Sequence, residues 1–220
     1  MIDTVIFDLD GTLLNTLDDL MDSVNYALGK FGLSPRSRQE VRAFLGNGAE
    51  VLMNKSIDGR LDASSTEKCI ETFKHYYKEH MDIKTKPYEG VLELIRELLK
   101  KGYHMAIVSN KFDAAVKGLN VDYFEGLFPV AIGESSKVAR KPAPDTVVKA
   151  LNELGSSTDR AIYVGDSEVD IMTAKNSGLP CVSVTWGFRD EALLSNLGTD
   201  YIIDTPMQLI EVIERRNNQC

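Results

Sequence analysis

The chain has 220 residues, of which 43% are hydrophobic and 26% charged, a balance that excludes a disordered polymer and fits one large domain or a core with an insertion. Its 25 Lys and Arg stand against 33 Asp and Glu, a net charge of −8 that disfavours nucleic acid and anionic membrane as partners. An anionic substrate therefore needs a local reversal of charge.

The first element is the apolar run Thr4-Val5-Ile6-Phe7, which predicts a strand buried on both faces. Next, Leu17, Leu20, Met21, Val24, Ala27, Leu28 and Phe31 form an amphipathic stripe that stops near Gly32 and Pro35. Ser37-Arg38-Gln39-Glu40 has capping-box spacing ahead of Val41 and Phe44. Ser64-Ser65-Thr66-Glu67 repeats that spacing ahead of Ile70, Phe73 and Tyr77. No strand is expected from about residue 15 to 83, and about 70 residues is too long for an ordinary crossover. A helical cap domain is therefore expected over 15–83, against the plainer reading of helices that pad one face of a sheet.

The core is expected to comprise 1–14 and 84–220. Helical patterns there end at Gly102, Gly155 and Gly178, and they alternate with apolar runs at 105–108, 130–132, 161–164, 181–184 and 201–203. That alternation predicts an α/β fold, a doubly wound parallel sheet with a Rossmann-like core and a helical cap inserted after the first strand. Cys69, Cys181 and Cys220 form neither a disulfide framework nor a zinc spacing, so a reducing cytoplasm is the simple expectation. Met1-Ile2-Asp3-Thr4 has no basic leader, and no apolar run approaches 18 residues. Neither export nor membrane spanning is expected.

Four short motifs carry the chemistry. In Phe7-Asp8-Leu9-Asp10-Gly11-Thr12-Leu13, a carboxylate ends a buried strand, where it is costly unless paired or bound to metal. Ligands bind at the carboxyl ends of strands in an open α/β sheet. Alone, this D-x-D is as readily a capping device. Val164-Gly165-Asp166-Ser167-Glu168-Val169-Asp170 places a second carboxylate at a strand end, with Asp170 in the first helical turn, where it also suits the helix dipole. Two such ends suggest a shared oxygen-ligand site for a hard cation such as Mg²⁺. Val108-Ser109-Asn110 is expected to end the second strand and to open a helix whose amides suit an anion. Lys141-Pro142-Ala143-Pro144 adds a cation beside residues that favour a helix start.

Taken in order, Asp8-x-Asp10-Gly-Thr, Ser109, Lys141 and Gly-Asp166-x-x-x-Asp170 resemble the four motifs of the haloacid dehalogenase superfamily across essentially the whole chain. The helical insert resembles that family's type-1 cap. Gly46-Asn47-Gly48-Ala49-Glu50-Val51-Leu52 and Ser109-Asn110-Lys111 are most similar to the phosphoglycolate phosphatase group within it.

The resemblance implies a Mg²⁺-dependent phosphatase acting on a small phosphorylated metabolite, 2-phosphoglycolate foremost, through an aspartyl-phosphate. It implies Asp8 as nucleophile and Asp10 as general acid and base. The metal would be held by Asp8, the Asp10 carbonyl and Asp166. Lys141, Ser109, Thr12 and Asn110 would hold phosphate, with Asp170 in support. Arg42, Gly46, Asn47, Gly48 and Lys111 are the candidates for meeting the leaving group; Gly46-Asn47-Gly48 also reads as a simple turn. A pyrophosphatase, a β-phosphoglucomutase-like phosphosugar enzyme and a catalytically silent binding protein are the competing readings. Trp186-Gly187-Phe188-Arg189 reads equally as a segment near the site and as a packing turn. His75, His80 and His104 share no ligand spacing, so structural roles are expected for them.

Overall fold

Every apolar run expected to form a strand does so. A computed structural model describes residues 1–219, and Cys220 lies outside the described residues. The chain opens with β1 (Thr4–Phe7), β2 (Leu14–Asn15), α1 (Leu17–Lys30), α2 (Arg38–Phe44), α3 (Ala49–Ile57), α4 (Ala63–His80) and β3 (Lys86–Pro87). It continues with α5 (Val91–Lys100), β4 (His104–Phe112), α6 (Asp113–Phe124), β5 (Val130–Glu134), α7 (Asp145–Leu154) and β6 (Ala161–Gly165). The last elements are α8 (Glu168–Ser177), β7 (Cys181–Val184), α9 (Glu191–Asn196), β8 (Tyr201–Ile203) and α10 (Gln208–Asn218).

Two compact units result, Met1–Leu14 with Pro87–Cys220, and Asn15–Lys86. The return thus falls at Pro87 rather than at residue 84.

In the first unit, six strands run in the order β5-β4-β1-β6-β7-β8, all pairs parallel. The chain winds from β1 out to β5, then crosses back and winds out to β8. This reversal leaves a crevice at the carboxyl ends of the central strands, the ligand position of doubly wound sheets. Strand alternation builds the two flanking layers. Val5 and Phe7 pack with Leu94, Leu98, Leu119 and Ile213 on one face. Ile6 and Tyr163 pack with Val147, Leu151, Ile171 and Leu194 on the other.

The second unit is helical. Helices α1 and α4 pack together, burying Leu20, Val24, Ala27 and Leu28 of one and Phe73 and Tyr77 of the other. The Ser37–Glu40 capping box forms as expected. The second box does not: Asp62 accepts the Ser65 amide at 2.8 Å and starts α4 at Ala63, leaving Ser64 inside the helix. Aspartate caps a helix as well as serine does, and here it stands first. His80 stacks on Tyr76 at 3.8 Å, a structural role as the sequence suggested. No helix among the described residues is long and apolar enough to cross a membrane.

Candidate active site

Strand β1 delivers Asp8 to the crevice. Its amide donates to the Val164 carbonyl at 2.9 Å, extending the β1–β6 ladder by one residue. Asp166 follows the end of β6, so the two carboxylates stand on neighbouring strand ends. Asp170 sits in the first turn of α8. One carboxylate oxygen from each of Asp8, Asp166 and Asp170 lies within 4.8 Å of the others, and all three residues are buried. The turn after β1 brings Thr12 back to them, and its hydroxyl donates to Asp166 Oδ1 at 3.1 Å. Gly11 makes that turn possible twice over. Its φ is +94°, and a Cβ there would lie 2.5 Å from Asp166 Oδ2.

Lys141 neutralises part of the cluster. Its ammonium donates to Asp8 Oδ1 at 2.6 Å and to Asp170 Oδ1 at 2.8 Å. Strand β4 does not end at Asn110, as the sequence suggested, but runs to Phe112. Its pairing with β5 shifts register between Val108 and Phe112, so the polar segment continues the strand and α6 starts only at Asp113. Ser109 Oγ accepts the Lys111 amide at 3.1 Å, and Asn110 Nδ2 donates to the Lys141 carbonyl at 3.0 Å. Lys111 Nζ grips Asp10 through both carboxylate oxygens, at 2.9 and 3.2 Å. The structure therefore assembles Asp8, Asp10, Thr12, Ser109, Asn110, Lys111, Lys141, Asp166 and Asp170 in one unit. Arg42 lies in α2 of the other unit. Gly46, Asn47 and Gly48 form its α2–α3 loop, where both glycines have positive φ.

Residues 5–184 match the model of the haloacid dehalogenase-like hydrolase family. The chain belongs to that family. It is 34% identical over 192 residues to the phosphoglycolate phosphatase of Mesorhizobium japonicum, covering 84% of each chain. It is 32% identical over 217 residues to the pyrophosphatase PpaX of Bacillus mycoides, covering 98% of this chain and 99% of that one. A candidate phosphoglycolate phosphatase structure from Lactobacillus delbrueckii subsp. bulgaricus superposes with a TM-score of 0.90 at 36% identity, over 96% of this chain and 98% of that one. The protein is thus an enzyme of a family whose compared members are phosphatases.

The electrostatics of this hydrolase suit a hard cation. Burial pushes the Asp8 carboxyl well above its usual range, with Asp170 and Asp166 reinforcing the shift against Lys141. Burial and the neighbouring Asp170 push Asp166 up to about 7. Asp170 behaves otherwise. Burial raises it, but Lys141, Ser167 and Tyr163 outweigh that effect and hold it below the usual carboxylate range. Both of its oxygens are engaged, Oδ1 by Lys141 and Tyr163, Oδ2 by the Ser167 amide and hydroxyl. The all-oxygen cluster fits Mg²⁺, and Asp8 and Asp166 carry the repulsion a cation would relieve.

One support of the site, Tyr163, was not singled out from the sequence, and the loop after β7 supplies others. Tyr163 OH bonds both Lys141 Nζ and Asp170 Oδ1 at 3.0 Å. The loop after β7 anchors the cluster from its far side: Phe188 N donates to Asp166 Oδ2 at 2.7 Å, and Trp186 Nε1 to the Thr12 carbonyl at 3.0 Å. Gly187 allows this approach, since a Cβ there would meet the Gly11 carbonyl at 2.5 Å. Arg189 pins the loop to α8 through a two-pronged pair with Glu168, at 2.6 and 2.9 Å. Both readings of Trp186–Arg189 hold: the segment lies beside the site, while Trp186 packs against the core and Phe188 is buried.

This arrangement has a pH signature. An unfolded Asp166 releases its proton near 3.8, whereas the folded one holds it to about 7. Between those values the folded state binds more protons than the unfolded state. The contribution of Asp166 to the stability of the metal-free protein therefore falls as pH rises through that window. Asp166→Asn removes this penalty, and the rotatable Thr12 hydroxyl can accept from the new amide. In chelator at pH 8 the variant should be more stable than its parent by on the order of a few kcal/mol, with a smaller difference at pH 5. Urea unfolding at the two pH values checks this. Equal stability of parent and variant at pH 8 contradicts it.

Proposed function

We propose that this phosphatase hydrolyses a small phosphomonoester through an aspartyl-phosphate intermediate, with Mg²⁺ as cofactor and 2-phosphoglycolate as preferred substrate. The observation that carries the reading is the Asp8–Lys141 contact of 2.6 Å within a buried carboxylate cluster at two adjacent strand ends. A carboxylate so placed has no packing role that an apolar residue would not fill better.

Lys141 takes Asp8 Oδ1, so Oδ2 is the oxygen assigned to in-line attack on phosphorus. As the phosphorus–alkoxide bond breaks, Asp10 gives its proton to the leaving oxygen, because an unprotonated alkoxide leaves poorly. Asp10 then takes a proton from the water that attacks the aspartyl-phosphate, which releases inorganic phosphate and restores Asp8. Lys141 and Ser109 hold phosphoryl oxygens. Thr12 and Asn110 contribute less directly, because their side chains bind Asp166 and the Lys141 backbone. Asp8, Asp166 and the Asp10 carbonyl would hold Mg²⁺, which would supply positive charge to the phosphoryl group. Lys141 contributes to the local reversal of charge that an acidic protein needs. The buried free thiols Cys69 and Cys181 suit a reducing cytoplasm.

Leaving-group choice is assigned to the Asn15–Lys86 unit as a cap, through Arg42, Gly46, Asn47 and Gly48, and to Lys111. A two-carbon acid brings a carboxylate, which suits a cation. The pyrophosphatase relatives, matched over 98% of this chain, support pyrophosphate as a second reading. A panel of 2-phosphoglycolate, pyrophosphate, hexose phosphates and p-nitrophenyl phosphate, with Mg²⁺ and with chelator, separates the readings. The highest kcat/KM is expected for 2-phosphoglycolate. Far faster turnover of pyrophosphate or a hexose phosphate would displace that substrate and leave the mechanism standing. Arg42→Ala and Lys111→Ala should each lower kcat/KM for 2-phosphoglycolate about tenfold to hundredfold more than for p-nitrophenyl phosphate, which has no carboxylate to lose. Equal losses on both substrates would remove these residues from substrate selection.

A further inference from the structure

Lysine 141 offers three N–H donors, and three acceptors surround it. Asp8 Oδ1 lies at 2.6 Å, Asp170 Oδ1 at 2.8 Å and Tyr163 OH at 3.0 Å. The hydroxyl of Tyr163 donates its own proton to Asp170 Oδ1 at 3.0 Å, so toward Lys141 it acts as acceptor. Lys141 is 4% exposed and Tyr163 0%, so bulk water does not compete for these bonds. If Lys141 holds a phosphoryl oxygen, as the proposed function has it, one of the three must be given up. Bonds from an ammonium to a carboxylate are roughly twice as strong as bonds to a neutral partner. The bond to Tyr163 is both the longest and the one with an uncharged acceptor.

We propose that Tyr163 is a positioning residue for Lys141: its hydroxyl holds the third N–H and yields it to an incoming phosphoryl oxygen, while staying anchored on Asp170. Packing explains how the hydroxyl keeps its place. Alternation along β6 turns Tyr163 to the face where Ile6, Val108 and Ala174 pack, away from Ile162 and Val164. The ring is locked in that core, with Lys141 Nζ 5.7 Å from its centroid. Phenylalanine would fill the same space, so the core does not require the hydroxyl. The exchange lets Lys141 stay satisfied before and after phosphate arrives, since a buried donor without a partner is costly.

The inference rests on Lys141 as a phosphate ligand, and Tyr163→Phe tests it separately. The variant keeps the ring and leaves the third N–H without its acceptor, so phosphate no longer displaces a partner. Inorganic phosphate, measured by calorimetry at saturating Mg²⁺, should bind about threefold to tenfold more tightly than to wild type. Its Ki against p-nitrophenyl phosphate hydrolysis should fall by the same factor, KM should fall with it, and kcat should not rise. A merely structural role would lower the melting temperature and weaken phosphate and substrate together. Unchanged or weaker phosphate binding by folded Tyr163→Phe would overturn the proposal. Tyr163→Met, which also lacks the hydroxyl, carries the same test if the first variant does not fold. If neither folds, Tyr163 belongs to the core and the proposal falls. Wild-type protein that cleaves p-nitrophenyl phosphate yet binds no phosphate would instead remove the reading of Lys141 beneath it.

Discussion

Asp8→Asn is expected to abolish turnover, by roughly 10⁴-fold or more, and to leave the fold intact. The amide keeps the volume of the carboxylate but has no anionic oxygen to form the bond to phosphorus. The fold survives because Lys141 retains Asp170 and Tyr163 as partners. Loss of the negative charge also relieves the repulsion from Asp166 and Asp170 that raises Asp8. A steady-state assay on protein with wild-type circular dichroism checks this. Turnover within tenfold of wild type in a folded variant would remove Asp8 from the nucleophile role.

Asp10→Asn is expected to lose roughly 10²- to 10⁴-fold in kcat, the usual range for a group that moves a proton in the transition state. The loss should depend on the leaving group. An alkoxide needs the proton, whereas p-nitrophenolate leaves without it. The first step should therefore stay fast for p-nitrophenyl phosphate and slow sharply for 2-phosphoglycolate. Lys111 loses an ionic partner in this variant, because it grips both Asp10 oxygens. Because Lys111 is also assigned to the carboxylate of 2-phosphoglycolate, the comparison that isolates Asp10 is between p-nitrophenyl phosphate and an alkyl phosphate without a carboxylate. Equal losses in kcat/KM, which reports the steps up to the phosphoenzyme, for good and poor leaving groups would assign Asp10 to placement rather than proton transfer.

The strand ends were legible because a carboxylate closing a buried apolar run is a conflict that composition alone exposes. Asp8 and Asp166 stand out in Thr4-Val5-Ile6-Phe7-Asp8 and Ala161-Ile162-Tyr163-Val164-Gly165-Asp166 for that reason. Tyr163 was not legible on the same terms. In its run it reads as one more buried residue, and its hydroxyl gains meaning only when Lys141, 22 residues away, arrives beside it. The end of β4 was misplaced because Ser109-Asn110-Lys111 is polar and resembles a loop. Pairing of Phe112 with Glu134 across a shifted register carries the strand on, and that depends on a neighbour no local pattern contains. The start of α4 failed for a smaller reason, two competent caps close together with the earlier one in place. Gly187 and Phe188 stood in a segment open to two readings, because their contacts to Gly11 and Asp166 lie outside any local pattern.

The central claim is that phosphorus passes through a covalent bond to Asp8, and Asp10→Asn offers the means to catch it. In that variant the attack on p-nitrophenyl phosphate proceeds while hydrolysis of the phosphoenzyme, which needs the base, is slowed. Mixing should give a burst of p-nitrophenolate equal to the enzyme concentration. Acid quenching and peptide mass spectrometry should then find one phosphoryl group on the peptide that contains Asp8. Continued release of p-nitrophenolate with no burst and no phosphorylated peptide, or a phosphoryl group on any other residue, would contradict the account.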